Sequence, residues 1–182
     1  MNIWVISHVI LVRLCYNLVH DMTLIPLHIC SLEAAREIDI NRYDAVITIE
    51  DSDAPEPFRV EGEGPEQLVI CCDDISVPLE GYVEPNEAHI SAALRFAYRV
   101  AKETNGSILI HCHAGISRSS AIALAIIAQQ LGPGKEREAV RQLEKINPNC
   151  RPNKSMVWMT DEMLGRNGKL YNTAYKMVWL TN

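Results

Sequence analysis

The chain has 182 residues, a formal net charge of −6, 48% hydrophobic and 22% charged residues, the balance of a soluble globular domain long enough to bury one core without staples. An acidic chain with no concentrated basic face argues against a nucleic-acid partner, because a phosphate backbone demands clustered cations. Six cysteines at irregular spacing, none in a CxxC pair, suggest neither a disulfide framework nor a zinc ribbon and point to a reducing cytoplasm.

In chain order, residues 3–19 are largely apolar but interrupted by Ser7, His8, Arg13 and Asn17. A membrane span needs about 20 apolar residues, and a secretory leader needs a basic start and a small-residue cleavage site. Neither is expected here, nor a membrane partner; a packed or partly packed extension is, with Met22 as an alternative start. Residues 24–29 read as a short buried strand. Ser31 caps a following helix with Glu33 in its first turn and Leu32, Ala35 and Ile38 on one face. Residues 45–49 form a β-branched strand, and 51–65, with three prolines and two glycines, a solvated loop in which Asp51 and Asp53 are solvated charges. Residues 68–72 are an apolar strand stopping at Asp73 and Asp74, followed by irregular chain around Pro78 and Gly81.

Pro85 suits a first helical turn, and Ala88, Ala92, Phe96 and Val100 carry the helix to residue 103, where Asn105-Gly106 ends it. Residues 108–110 are a buried strand, 121–131 a strongly apolar helix stopped by Gly132-Pro133-Gly134, and 135–146 an amphipathic helix. A turn-rich link over 147–152 leads to a helical C-terminal part containing Trp158, Met159 and Met163. Strands alternating with helices predict a single α/β domain with a mainly parallel central sheet and helices on both faces.

One junction carries chemistry. A buried strand runs into His111-Cys112, five residues follow, and then Arg118 opens a helix. Ligand sites of open α/β sheets lie beyond the carboxyl ends of strands, and a helix N-terminus offers free amides and a positive dipole to an anion. A turn through His113, Ala114, Gly115, Ile116 and Ser117 can curl its N–H groups around a phosphoryl group, with Gly115 permitting positive φ or close approach. Arg118 adds a planar fork for two phosphoryl oxygens. The same positive environment favours thiolate over thiol at Cys112, making it a nucleophile rather than a buried core cysteine. His111 reads as a group that orients the loop, and Ser119 as a hydrogen-bond donor to the sulfur. His111, Cys112 and His113 could suggest a metal, but adjacent residues of an extended segment diverge and no further ligands cluster, so no metal and no cofactor are expected.

The run from His111 to Ser119 fits HCxxGxxR followed by Ser or Thr, and with it the chain resembles the protein tyrosine and dual-specificity phosphatases, most of all small bacterial members. The resemblance runs from about residue 24 to 153, including an Arg-Pro-Asn turn at Arg151, Pro152 and Asn153. It implies a dual-specificity-phosphatase-like domain over 22–182 with residues 1–21 as an extension of open status. It also implies a phosphocysteine intermediate without metal, a phosphorylated protein or peptide as substrate, and an aspartate after the preceding strand that protonates the leaving oxygen and later activates water. Asp73 and Asp74 fit that description; Asp74 is preferred because it lies further into the loop. Cys71 and Cys72 offer a resolving thiol or, as the preferred reading, core packing. A phosphoinositide or inositol phosphate phosphatase and a phospho-binding module without turnover are the alternative functions; oligomeric state is not legible.

Overall fold

A computed structural model of the chain describes residues 24–104 and 106–180. The extension expected over residues 1–21, and Asn105, lie outside the described residues. Four strands, β1 (Leu27–Ser31), β2 (Ala45–Glu50), β3 (Glu66–Cys71) and β4 (Ile108–Cys112), form one sheet in the order β1-β4-β2-β3 with every pairing parallel. All four therefore end on the same edge.

The helices are α1 (Leu32–Glu37), α2 (Glu87–Glu103), α3 (Arg118–Leu131), α4 (Glu136–Ile146), α5 (Lys154–Met163) and α6 (Lys169–Ala174), with a π-turn over Tyr175–Trp179. Successive strand residues face opposite sides, and the sheet is covered on both. Ala45, Ile47, Ile49, Ile108 and Ile110 face the main core with Ile90, Ala97, Ile122 and Ile126 of α2 and α3. Val46 and Leu109, on the other face, are also fully buried, and α1 packs there against β1 and β4. Burial on both faces explains the uninterrupted apolar runs in β2 and β4.

Several boundaries differ from the sequence reading. Strand β1 is displaced toward Ser31, and β4 extends to Cys112. Helix α2 starts at Glu87, because Asn86 caps it: the Asn86 side chain accepts from Ala88 and His89 amides, and His89 Nδ1 accepts from the Asn86 amide. Pro85 precedes the cap and takes no part in the first turn. The loop over 51–65 is not simply solvated, since Phe58 packs edge-on to His111 with ring centroids 4.8 Å apart and Gln67 ties the loop back through Val60 and Phe58.

Candidate active site

Cys112 ends the central strand at 2% exposure, and Arg118 begins α3 at the same exposure. Between them the backbone turns sharply, with Gly115 at φ 73°. A Cβ on Gly115 would stand 2.5 Å from the Cys30 carbonyl carbon and 2.6 Å from its oxygen, a contact that backbone cannot relieve. Glycine is needed here both for the left-handed conformation and for close approach to the end of β1.

The surrounding elements hold the loop by its carbonyl groups. The Leu32 amide donates to the His113 oxygen at 3.0 Å, Arg151 N–H to Ile116 oxygen at 2.9 Å and Asn153 N–H to Ser117 oxygen at 3.3 Å. Asn147 Nδ2 donates to Gly115 oxygen at 2.8 Å. With the carbonyls drawn outward, the amides of residues 113–118 are left without an acceptor among the described residues. Ser117 precedes α3 but gives it no side-chain cap, so the helix dipole adds to the same concave, positive spot. Such a nest of N–H groups is an anion site. Sequence reasoning missed the anchors Leu32 and Asn147; Asn153 was visible only as part of the Arg-Pro-Asn turn.

Arg118 is gripped at one nitrogen. Its Nη1 donates to the Cys72 carbonyl at 2.6 Å and pairs with Asp51 Oδ1 at 2.7 Å. Its Nε is buried without a partner, leaving the other edge of the fork as donor surface for an anion. Asp51, expected as a solvated charge, is therefore a partner of Arg118, placed by its position directly after β2, the sheet neighbour of β4. Ser119 is fully buried with Oγ 3.3 Å from Cys112 Sγ. His111 Nε2 lies 2.9 Å from Thr48 Oγ1; burial pushes the imidazole down to about 4, against a smaller upward pull from the Cys112 backbone. His111 is buried and His113 exposed, so the two imidazoles diverge. No group of three or more potential metal ligands comes together among the described residues.

The two candidate acids separate clearly. Asp73 is 4% exposed and is held in a staple: it accepts from Ser52 N–H at 3.1 Å, Ser52 Oγ at 2.7 Å and Val83 N–H at 2.6 Å. Burial pushes its carboxyl up, but these donors and the Arg118 charge outweigh that and hold it below the usual carboxylate range. Asp74 is exposed and meets the loop, its Oδ1 accepting from Ser117 Oγ at 2.7 Å and from Asn153 Nδ2 at 2.9 Å. Cys72 is fully buried in the core, its thiol pushed up to about 12 by burial. Cys71 is exposed, so core packing describes only one of that pair.

Beside Cys112 lies a cavity of about 260 Å³. Leu32, Pro55, Pro57 and Phe58 supply apolar wall, while Glu50, Asp51, Asp53 and Glu56 supply acids, with Arg36 and His113 as basic groups. No helix among the described residues is long and apolar enough to cross a membrane.

Known proteins share this fold. Among curated sequences, human dual specificity protein phosphatase 16 is 43% identical over 53 residues, a match spanning 29% of this chain and only 8% of that protein. Human DUSP28 superimposes with a TM-score of 0.61 at 18% identity, covering 79% of this chain and 95% of that one. The active form of Tk-PTP gives 0.59 at 21% identity, covering 77% and 90%. At these identities the structural matches establish the fold. The family model for the dual specificity phosphatase catalytic domain matches residues 45–161, more than half of the chain and all of the loop just described, and the chain belongs to that family.

Proposed function

We propose that the chain hydrolyses phosphomonoesters of protein substrates, phosphotyrosine above all with phosphoserine and phosphothreonine also admitted, through a phosphocysteine intermediate. The observation that carries this reading is the loop itself: between Cys112 and α3 the carbonyls are anchored by neighbouring elements, the helix start is uncapped, and Arg118 Nε is buried without a partner among the described residues. In the first step the Cys112 thiolate attacks phosphorus, the bond to the leaving oxygen breaks, and Asp74 gives that oxygen its proton. In the second, Asp74 takes a proton from water as the water oxygen attacks phosphorus, and the sulfur leaves as thiolate with Ser119 donating to it. Arg118 and the amides hold the three equatorial oxygens throughout, supplying charge stabilisation with no metal in the scheme.

The absence of lysine from residues 113–117 and the acids that line the cavity beside Cys112 speak against polyanionic inositol headgroups. Purified protein is expected to release phosphate from p-nitrophenyl phosphate and from phosphotyrosine peptides with chelator present, faster than from phosphoinositides. Cys112→Ser should reduce turnover to background; full activity in that variant would remove the phosphocysteine route, and exclusive lipid turnover would remove the protein substrate.

A further inference from the structure

We infer that Asn153 is a positioning residue for the Asp74 carboxyl, fixing which of its two oxygens carries the transferred proton. The inference rests on Asp74 as general acid in the proposed reaction.

Asn153 is 5% exposed and joins three pieces of the site. Its Nδ2 uses both protons, donating to Asp74 Oδ1 at 2.9 Å and to the Ile75 carbonyl at 3.0 Å. Its Oδ1 accepts from the Met156 amide at 3.1 Å, capping α5, and from Ser155 Oγ at 2.8 Å. Its own N–H donates to the Ser117 carbonyl at the end of the catalytic loop.

The consequence at Asp74 is asymmetric. Both donors that reach the carboxyl, Asn153 Nδ2 and Ser117 Oγ, reach Oδ1, and Oδ2 accepts no hydrogen bond among the described residues. A protonated carboxyl has one accepting carbonyl oxygen and one O–H. Two donors on Oδ1 make it the carbonyl oxygen, which leaves the proton on Oδ2. Because Ile75 is held by the same amide group, the chain immediately after Asp74 is fixed together with the carboxyl.

This role needs an amide, and the capping role does not. Aspartate caps a helix as well as asparagine, yet it has no proton to donate to Asp74 and brings a second negative charge to it. Asn153→Asp therefore separates the two roles. The measurement is kcat/KM across aryl phosphates of graded leaving-group acidity, because proton donation matters most where the leaving oxygen is most basic. Proton transfer of this kind contributes roughly 10²–10⁴-fold, so a misplaced acid should lose about tenfold on phenyl phosphate and phosphotyrosine while staying within about twofold on strongly activated esters. In an Asp74→Asn background the Asn153→Asp change should add no further leaving-group dependence. Equal loss on every ester would mark a purely structural residue and overturn the inference. A flat series for Asp74→Asn would instead remove the acid assignment and this inference with it, whereas a steep series there and a flat one for Asn153→Asp overturns the positioning role alone. Should Asn153→Asp fail to fold, Asn153→Ser, which keeps a capping oxygen and cannot reach Asp74, carries the same comparison.

Discussion

His111 and Asp74 are both polar residues at the site, and their surroundings give them opposite duties. His111 is enclosed by Thr48 and Phe58, and its imidazole, pushed down to about 4 by burial, stays neutral at physiological pH and serves to hold the end of β4. The unfolded chain would protonate this imidazole near its ordinary value of ~6.5. Between pH 6.5 and 4 the unfolded state therefore binds the extra proton, so stability falls as pH is lowered through that window, by on the order of 3 kcal/mol in all. Urea denaturation at several pH values should show this slope, and His111→Asn should flatten it by about one proton; an unchanged slope would place the acid sensitivity elsewhere. The sequence suggested an orienting part for His111 because a stabilised thiolate needs no base, and the structure gives it a hydrogen-bond partner in Thr48. The part played by Asp51 was not. Asp51 directly follows β2, and its meeting with Arg118 depends on β2 lying beside β4, a strand order that no local pattern states.

At the scale of elements, the chain that leaves β3 is a loop closed at its base. Asp73 and Val83 exchange two hydrogen bonds, Asp73 N–H to Val83 oxygen at 2.7 Å and Val83 N–H to the Asp73 carboxylate at 2.6 Å, while Ser52 adds two more. Charge-assisted bonds of this kind contribute about 1.5–3 kcal/mol each when buried. Asp73→Asn should cost about 2 kcal/mol in chemical denaturation and lower kcat on all esters by a similar factor, in contrast to the leaving-group dependence expected of Asp74. Because the donors hold the Asp73 carboxyl below the usual range, its contribution is present above the unfolded value of ~3.9 and disappears as pH falls through the lower folded value. The sequence offered two neighbouring candidates for the proposed acid, and what separates them, contacts of Asp73 to Ser52 and Val83 and of Asp74 to Ser117 and Asn153, lies with residues distant in the chain.

For the molecule as a whole, the fold was legible because both faces of the sheet are covered. Apolar strands without polar alternation, each followed by a helix, admit few arrangements other than a parallel layered sheet. The site edge followed from the same fact, since parallel strands end together and β4 lies between β1 and β2. Strand order was not legible, because no local pattern distinguishes the neighbour of a strand within a buried sheet. Helix boundaries shifted by a few residues where a cap such as Asn86 outweighed a proline signal.

Helix α3 runs through the middle of this core, with every residue from Arg118 to Ala128 buried, yet Ser117 spends its hydroxyl on Asp74 and leaves the helix start open. Under the proposed function a bound oxyanion would complete that helix start, so ligand binding is expected to show as heat resistance even where chemistry is blocked. Phosphate or vanadate at about 100 times its dissociation constant should stabilise Cys112→Ser by about 2.7 kcal/mol, seen as a higher Tm. An unchanged Tm at that concentration would mean that the folded loop does not bind the anion.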